Sequence, residues 1–163
     1  MVQVYLSIGS NIEREKHLRS GLATLADLFD VLTLSSLFES EAVGFDGSPF
    51  YNMVVGFQTN QSIEKLSNTL RDVEFKFGRE LNATKFSPRT LDLDILLYGE
   101  LIQTSPVQLP RDEITYNAFV LWPLAEIAPQ QVHPVLKKSY QSLWQDFDKT
   151  TQKLQIIPFN WQG

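Results

Sequence analysis

The sequence predicts an α+β fold with a largely antiparallel sheet, and two observations predict it. Four segments are typical of β-strands, and in the first and last of them apolar and polar residues alternate, whereas in two other segments apolar residues recur every three or four positions, as on an amphipathic helix. The segments follow one another as strand, helix, strand, strand, helix, strand. This βαββαβ order is typical of a ferredoxin-like α/β sandwich, to which we expect the last third of the chain to add a C-terminal strand and helices.

The first half of the chain supplies three of the predicted core elements. Residues 2–8 alternate as a strand, and Gly9-Ser10-Asn11 ends it, with Asn11 expected to cap the following helix. The apolar face of that helix consists of Leu18, Leu22, Leu25 and Phe29. Residues 31–38 predict the second strand, and residues 40–49, rich in small and turn-forming types, predict a loop.

The second half of the core begins with a strand over residues 50–59. Ser62 is the expected N-cap of a helix, and Gly78 stands where its C-terminus favours a left-handed residue. The helix carries its apolar residues on one face, namely Ile63, Leu66, Leu70, Val73 and Phe77. A basic loop over residues 79–90 then leads into a fourth strand over residues 91–98.

The last third is less regular. We expect a short strand at residues 101–102, a helical segment over residues 119–127 that is broken near Pro123, and a final helix over residues 139–147. Neither a repeat nor a linker divides the chain, so we expect residues 1–163 to form a single domain.

Composition narrows the functional class. The net charge of −5 and the sequence pI of about 5.0 disfavour nucleic-acid binding, which requires a basic surface. The chain has no cysteine and no apolar run of the roughly 18 residues that cross a bilayer, and its amino terminus does not resemble a signal peptide. We therefore expect a cytoplasmic protein without a membrane partner, and nothing in the sequence requires more than a monomer.

The fourth predicted strand carries a pair of acidic residues. Side chains alternate on a strand, so Leu91, Leu93, Ile95 and Leu97 are expected to point into a core, and Asp92 and Asp94 are expected to share the other face. Two neighbouring carboxylates repel each other, and a Mg²⁺ ion that also binds substrate phosphates would relieve this repulsion. An exposed strand face, or neutralisation by nearby arginines, remains an alternative interpretation of the pair.

Basic residues precede this strand. Arg79, Lys85 and Arg89 fall within eleven residues of one another, and they would supply cationic donors for phosphoryl oxygens. The sequence has no Walker-type phosphate loop. If the chain uses ATP, it therefore does so without one.

Together these segments resemble the 6-hydroxymethyl-7,8-dihydropterin pyrophosphokinase family. The segment Phe86-Ser87-Pro88-Arg89-Thr90-Leu91-Asp92-Leu93-Asp94-Ile95 is similar to the family signature. Further similarities follow in the expected order at residues 8–11, 35–39, 50–52, 74–79 and 119–124. The resemblance spans about residue 4 to about residue 129 and implies an ATP- and Mg²⁺-dependent transferase that pyrophosphorylates the pterin in folate biosynthesis and releases AMP.

The resemblance also assigns residues to the nucleotide. Asp92 and Asp94 would hold two Mg²⁺ ions, and Arg79 and Arg89 would contact the phosphates and assist transfer. The resemblance also implies Glu74, Phe86 and Ile95 at the ATP site, and the basic residues Lys85 and Arg111 are further candidates for it. Family members usually carry a histidine where this chain has Arg111, and the adjacent Asp112 is a candidate to tie Arg111 up in an ion pair.

For the pterin, the resemblance implies stacking between Phe50 and Phe119, with Asn52 and the loop around Ser40 to Val43 reading the edge of the ring. Asn117 stands where an arginine is common in the family. These departures leave open a second function, a catalytically weak paralogue that binds pterin or nucleotide.

Each residue also has a structural interpretation: core packing for Phe50 and Phe119, a strand-start polar group for Asn52, a solvated helix position for Glu74 and a loop anchor for Phe86. An RNA-binding sheet is disfavoured by the acidic pI.

Overall fold

A computed structural model describes residues 1–40, 49–78 and 90–161. Its strands are β1 (Val2–Ser10), β2 (Thr33–Leu34), β3 (Leu37–Ser40), β4 (Phe50–Thr59), β5 (Asp92–Tyr98) and β6 (Leu154–Ile157). Its helices are α1 (Arg14–Phe29), α2 (Ile63–Lys76), a 3-10 helix (Asp112–Thr115), α3 (Ala118–Ile127) and α4 (Tyr140–Gln145). None of the helices in these ranges is long and apolar enough to cross a membrane.

The strands form one antiparallel sheet in the order β5-β1-β4-β3-β6, with β2 also paired to β4. The central pair is the longest, since β1 and β4 are in register from Val2 opposite Thr59 to Ser10 opposite Tyr51. The first four strands of this order are those of the ferredoxin-like sandwich, which confirms the predicted α+β fold class. Strand β5 lies at one edge of the sheet.

Each face of the sheet carries its own core. On one face, Leu6, Ile8 and Met53 of the strands pack with the apolar faces of α1 and α2. On the other face, Val54 and Leu96 pack with residues of α3 and α4. The period-2 alternation within β4 therefore sends alternate residues to opposite layers, and the even-numbered residues of β4 face α3.

A β-bulge interrupts the alternation in β5. Tyr5 pairs with Leu97, but the next residue of β1, Leu6, pairs with Ile95, so Leu96 is the extra residue. Leu93 and Ile95 consequently lie in the α1–α2 core, whereas Leu97 lies in the α3–α4 core. The expectation that Leu97 shares a face with Leu91, Leu93 and Ile95 was wrong, because the bulge at Leu96 shifts the alternation, so that Leu97 lies on the same face as Leu96.

The predicted termini of the helices are confirmed at α2 but not at α1. Ser62 is the N-cap of α2, and its side chain accepts a hydrogen bond from the backbone N–H of Lys65 at 3.2 Å. Gly78 follows the helix with a φ of 93°, a conformation that favours glycine. At α1 the N-cap is Glu13, so the expectation that Asn11 caps this helix was wrong.

The second predicted strand is divided in two. Ser35 lies between β2 and β3, and its side-chain oxygen accepts a hydrogen bond from the backbone N–H of Val54 at 2.9 Å. The Ser35 N–H donates to the carbonyl oxygen of Val54, also at 2.9 Å. The serine side chain thus takes the place of a backbone acceptor, which interrupts the ladder within residues 31–38.

The last third required three corrections. Residues 101–102 are not a strand, since chain pairing there is limited to an isolated bridge between Gln103 and Leu109. Helix α3 continues through Pro123, because packing on both sides offsets the one backbone hydrogen bond that the proline removes. The strand expected in the last third is instead β6, at Leu154–Ile157, which extends the sheet beyond β3. The final helix is shorter than residues 139–147.

Candidate active site

The acidic pair of β5 lies on one face of the sheet. Asp92 pairs with Gly9 and Asp94 pairs with Ser7, while Leu93 between them turns into the α1–α2 core. Both aspartates precede the bulge, so the alternation places their side chains together on the α3 side. This is the arrangement that the sequence predicted for them.

Asp94 is electrostatically strained. Burial, and after it the nearby Asp92 carboxylate, raise the pKa of Asp94 to about 8, although the Arg111 guanidinium acts in the opposite direction. Even so, 31% of the Asp94 side-chain surface is exposed, and it lines a recessed cavity. A carboxyl group in this position favours a proton or a cation, and a ligand can reach it.

Arg111 is a cationic neighbour of Asp94. Its Nη2 atom lies 3.6 Å from an Asp94 carboxylate oxygen and 2.7 Å from Glu113 Oε1, and its Nε donates to the same Glu113 oxygen at 2.8 Å. Burial acts to lower the pKa of Arg111, but the two carboxylates outweigh it and raise that pKa. The ion-pair partner suggested from sequence, Asp112, was therefore wrong, since Glu113 and Asp94 take that role.

A cavity of about 500 Å³ opens beside this cluster, between α2 and the outer edge of β5. Three residues predicted at the ATP site line it, Glu74, Ile95 and Arg111, together with Asp94. Sequence reasoning missed the other polar residues of the lining, which are Ser67, Arg71 and Gln108. Helical spacing could have indicated Arg71, because it precedes Glu74 by three residues and so shares its face of α2.

Glu74 connects the helix to the sheet. It is buried, and its Oε2 accepts a hydrogen bond from the backbone N–H of Leu93 at 2.8 Å. This N–H belongs to the edge strand and points away from β1. The solvated helix position considered for Glu74 was therefore wrong, because its carboxylate pairs with the edge of the sheet at the wall of the cavity.

The candidate pterin residues lie on the same face of the sheet as the aspartates. One cross-strand row contains Phe38, Asn52, Gly9 and Asp92, since each is paired with the next. Asn52 is buried, and its amide nitrogen donates to the Ser40 hydroxyl at 2.7 Å. With strands about 4.8 Å apart, the Asn52 and Asp92 positions are roughly 10 Å from each other across Gly9.

The two candidate aromatic residues flank this region. Phe50 is paired with Ser40 and lies close enough to Gly9 that a Cβ placed there would be 3.7 Å from its ring. Phe119 is the second residue of α3 and packs against the α3–α4 core while remaining half-buried. Both rings thus keep exposed surface on the side of the sheet that carries the aspartates, which is compatible with stacking on a flat ligand.

Five predicted site residues lie outside the described ranges: Val43, Arg79, Lys85, Phe86 and Arg89. Within residues 1–40, 49–78 and 90–161, no group of three or more histidines and acidic residues is placed to hold a metal ion. The donor set available is therefore the carboxylate pair of Asp92 and Asp94. It fits Mg²⁺, which commonly binds one or two carboxylates and completes its coordination with substrate phosphates and water.

Comparison with known proteins adds a family match. The model of the 7,8-dihydro-6-hydroxymethylpterin-pyrophosphokinase family matches residues 5–129. The chain is 33% identical over 141 residues to the 2-amino-4-hydroxy-6-hydroxymethyldihydropteridine pyrophosphokinase of Aquifex aeolicus, covering 85% of this chain and 88% of that protein. It is 36% identical over 138 residues to the folate synthesis bifunctional protein of Chlamydia caviae, covering 79% of this chain but only 31% of that protein.

A solved structure supports the same fold. The wild-type HPPK-DHPS protein of Plasmodium falciparum matches with a TM-score of 0.70 at 12% sequence identity. The match covers 88% of this chain, and the chain spans only 40% of that protein.

Proposed function

Since the chain belongs to the 7,8-dihydro-6-hydroxymethylpterin-pyrophosphokinase family, we propose that Asp92 and Asp94 are the metal ligands of its active site and that the adjacent cavity receives ATP. The chain is an enzyme, a pyrophosphokinase of folate biosynthesis. The observation that carries the site assignment is the row from Asn52 through Gly9 to Asp92, which joins the candidate pterin residues to the metal ligands on one face of the sheet.

In the proposed reaction, the hydroxymethyl oxygen of 6-hydroxymethyl-7,8-dihydropterin forms a bond to the β-phosphorus of ATP. The bond from that phosphorus to the oxygen bridging the α- and β-phosphates breaks, AMP leaves, and the hydroxyl proton passes to solvent. Asn52 holds the edge of the pterin ring together with the loop around Ser40 to Val43, and Phe50 and Phe119 stack on its faces. The cross-strand distance of roughly 10 Å leaves room for the hydroxymethyl group to reach a phosphate beside Asp92.

Two Mg²⁺ ions held by Asp92 and Asp94 would neutralise the charge of the triphosphate and align the oxygen nucleophile with the leaving group. The raised pKa of Asp94 supports this assignment, because a buried carboxylate beside another carboxylate is stabilised by a cation. The positively charged guanidinium group of Arg111 already lies 3.6 Å from the Oδ1 atom of Asp94.

The nucleotide lies against the outer edge of β5 in this proposal. Glu74, Ile95 and Arg111 form the wall of the cavity. Arg79 and Arg89 contact the phosphates and stabilise charge in the transition state, and Lys85 and Phe86 complete the ATP site. The roles of Arg79, Arg89 and Phe86 are proposed from the family resemblance, and that of Lys85 from its place in the same basic segment.

We further propose that residues 1–163 act as one domain, as a monomer, in the cytoplasm. Light scattering coupled to size-exclusion chromatography tests the oligomeric state, and a mass of twice 18.6 kDa would contradict the monomer.

The activity is tested by measuring AMP release from ATP with the hydroxymethylpterin and Mg²⁺ each present or omitted. We expect AMP only when both are present. Binding of both ligands without AMP would instead indicate a pterin- and nucleotide-binding module, which the names of the relatives do not favour.

Asp94→Ala tests the metal assignment. We expect AMP release to fall by roughly a thousandfold or more, because the variant lacks one of two metal ligands. Its free energy of unfolding should not decrease, since the substitution also removes a repelled carboxylate. Asp27→Ala is the matched control, because Asp27 is an exposed carboxylate of α1 on the other side of the sheet. Comparable rates in the two variants would refute the assignment.

A further inference from the structure

Glu113 binds the guanidinium group of Arg111 on one side and an amide on the other. Arg111 Nη2 and Nε lie 2.7 and 2.8 Å from Glu113 Oε1, and Asn117 Nδ2 donates to Glu113 Oε2 at 2.7 Å. Both carboxylate oxygens of Glu113 are therefore engaged. Arg111 and Asn117 both depart from the residues that are common in the family. The Glu113 carboxylate joins these two side chains, which the sequence did not indicate.

The backbone of this segment is fixed as well. The Arg111 N–H donates to the Leu96 carbonyl oxygen at 3.0 Å, which ties Arg111 to the outer edge of β5 just beyond the aspartates. The Asn117 N–H donates to the Glu113 carbonyl oxygen at 2.9 Å, at the end of the 3-10 helix. Arg111, Glu113 and Asn117 thus form a hydrogen-bonded unit that is attached to the strand carrying Asp94.

The guanidinium group of Arg111 is held where a phosphate in the cavity could bind it. Its Nη2 atom lies between Glu113 and Asp94, and its side chain lines the cavity. A free arginine side chain loses conformational entropy when it is immobilised. Because Glu113 already immobilises Arg111, a phosphate that binds the guanidinium does not have to meet this cost.

We propose that Glu113 is a positioning residue for ATP, which acts by holding the Arg111 guanidinium at the mouth of the cavity beside Asp94. Glu113 does not itself contact the phosphates in this arrangement, since a carboxylate would repel them. The proposal rests on the proposed function of the site, and it predicts that Glu113 matters to the nucleotide only while Arg111 is present.

A double-mutant cycle tests this dependence. The affinity for α,β-methylene-ATP with Mg²⁺ is measured by titration calorimetry in wild type, Glu113→Gln, Arg111→Gln and the double variant. We expect Glu113→Gln to weaken binding about five- to tenfold in the wild-type background. In the Arg111→Gln background the same substitution should leave the affinity unchanged or tighten it, because only a repelling carboxylate is then removed. In steady-state assays Glu113→Gln should raise the KM for MgATP while kcat stays within about twofold.

Two further variants separate positioning from a general loss of structure. Asp112→Asn removes the same charge one residue away at an exposed position, and we expect wild-type affinity. Asn117→Ala removes the hydrogen bond to Glu113 Oε2, and we expect a smaller weakening that also depends on Arg111. Denaturant unfolding of each variant identifies any that fail to fold.

Equal weakening by Glu113→Gln in both backgrounds would overturn the proposal, and so would an unchanged affinity in the wild-type background. These outcomes are distinct from failure of the proposed function. If the proposed function itself were wrong, the wild-type protein would release no AMP in the presence of ATP, Mg²⁺ and the hydroxymethylpterin.

Discussion

Gly9 lies at the position on the sheet where a side chain would separate the two halves of the site. It is paired with Asn52 on one side and Asp92 on the other, and a Cβ built on it would be 3.1 Å from Asn52 Oδ1. That contact is tighter than van der Waals packing allows without movement of the asparagine. The absence of a side chain at Gly9 therefore keeps the face open between the candidate pterin residue and the candidate metal ligand.

Phe119→Ala tests the assignment of the pterin stack. We expect pterin affinity to fall roughly ten- to a hundredfold, because the variant lacks the half-buried ring that we propose to stack on the ligand, while the affinity for α,β-methylene-ATP changes by less than about threefold. Titration calorimetry with each ligand measures the difference. Phe147→Ala is the control, since Phe147 is a half-buried aromatic residue that packs against the same core. Equal losses for both ligands in Phe119→Ala would show that the ring serves only the core.

Strand β5 carries the candidate metal ligands, and the cavity lies along its outer edge. An edge strand exposes unpaired backbone groups, and here two of them have partners from other elements. The Leu93 N–H donates to Glu74 of α2, and the Leu96 carbonyl oxygen accepts from the Arg111 N–H. The cavity lies between these two attachments, with Asp94 and Ile95 in its wall. Hydrogen bonds from other elements thus occupy the strand edge at Leu93 and Leu96, and the cavity adjoins the residues between these two positions.

Glu74→Ala tests the first of these attachments. It leaves the Leu93 N–H without its carboxylate acceptor, so we expect the free energy of unfolding to fall by about 1–3 kcal/mol. Asp72→Ala, at an exposed position of the same helix, should change it by less than about 0.5 kcal/mol. Denaturant unfolding at neutral pH compares the two variants. If both lose the same stability, Glu74 is not attaching α2 to the edge of the sheet.

At the scale of the whole molecule, the fold class could be predicted because the order of strand and helix patterns in the first 98 residues is that of the structure, although one predicted strand is divided into β2 and β3. The acidic pair was visible for the same reason, since strand alternation alone places Asp92 and Asp94 together. The position of Leu97 was not predictable, because the bulge at Leu96 arises from pairing with β1 and leaves no local signal.

Elements stabilised by distant contacts were misplaced or misjudged. Strand β6 exists through its pairing with β3, more than a hundred residues away along the chain, and α3 continues through Pro123 because of its packing. Glu113 was missed because its role depends on a side-chain contact with Arg111 that spacing does not reveal, whereas motif comparison indicates residues that touch a ligand directly.

His133 links protonation to the stability of the whole chain. It is buried in a tight turn near α4, where its Nδ1 accepts hydrogen bonds from the backbone N–H groups of Val135 and Leu136, both at 3.1 Å. Burial lowers the pKa of His133 below its usual 6.5. Protonation would also convert the Nδ1 acceptor into a donor facing two N–H groups.

The sign of the resulting pH dependence follows from proton linkage. As the pH falls below about 6.5, the unfolded chain binds a proton at His133 before the folded chain does, so the folded state loses relative stability until its own lowered pKa is reached. The slope cannot exceed about 1.4 kcal/mol per pH unit for one group. We expect the free energy of unfolding of wild type to fall more between pH 7.5 and pH 5.5 than that of His133→Asn. In that variant Asn Oδ1 can replace the Nδ1 acceptor but does not titrate. Denaturant unfolding of both proteins at both pH values measures this difference, and contributions from the other titrating groups cancel in it. Equal losses of stability in the two proteins would exclude His133 as the source.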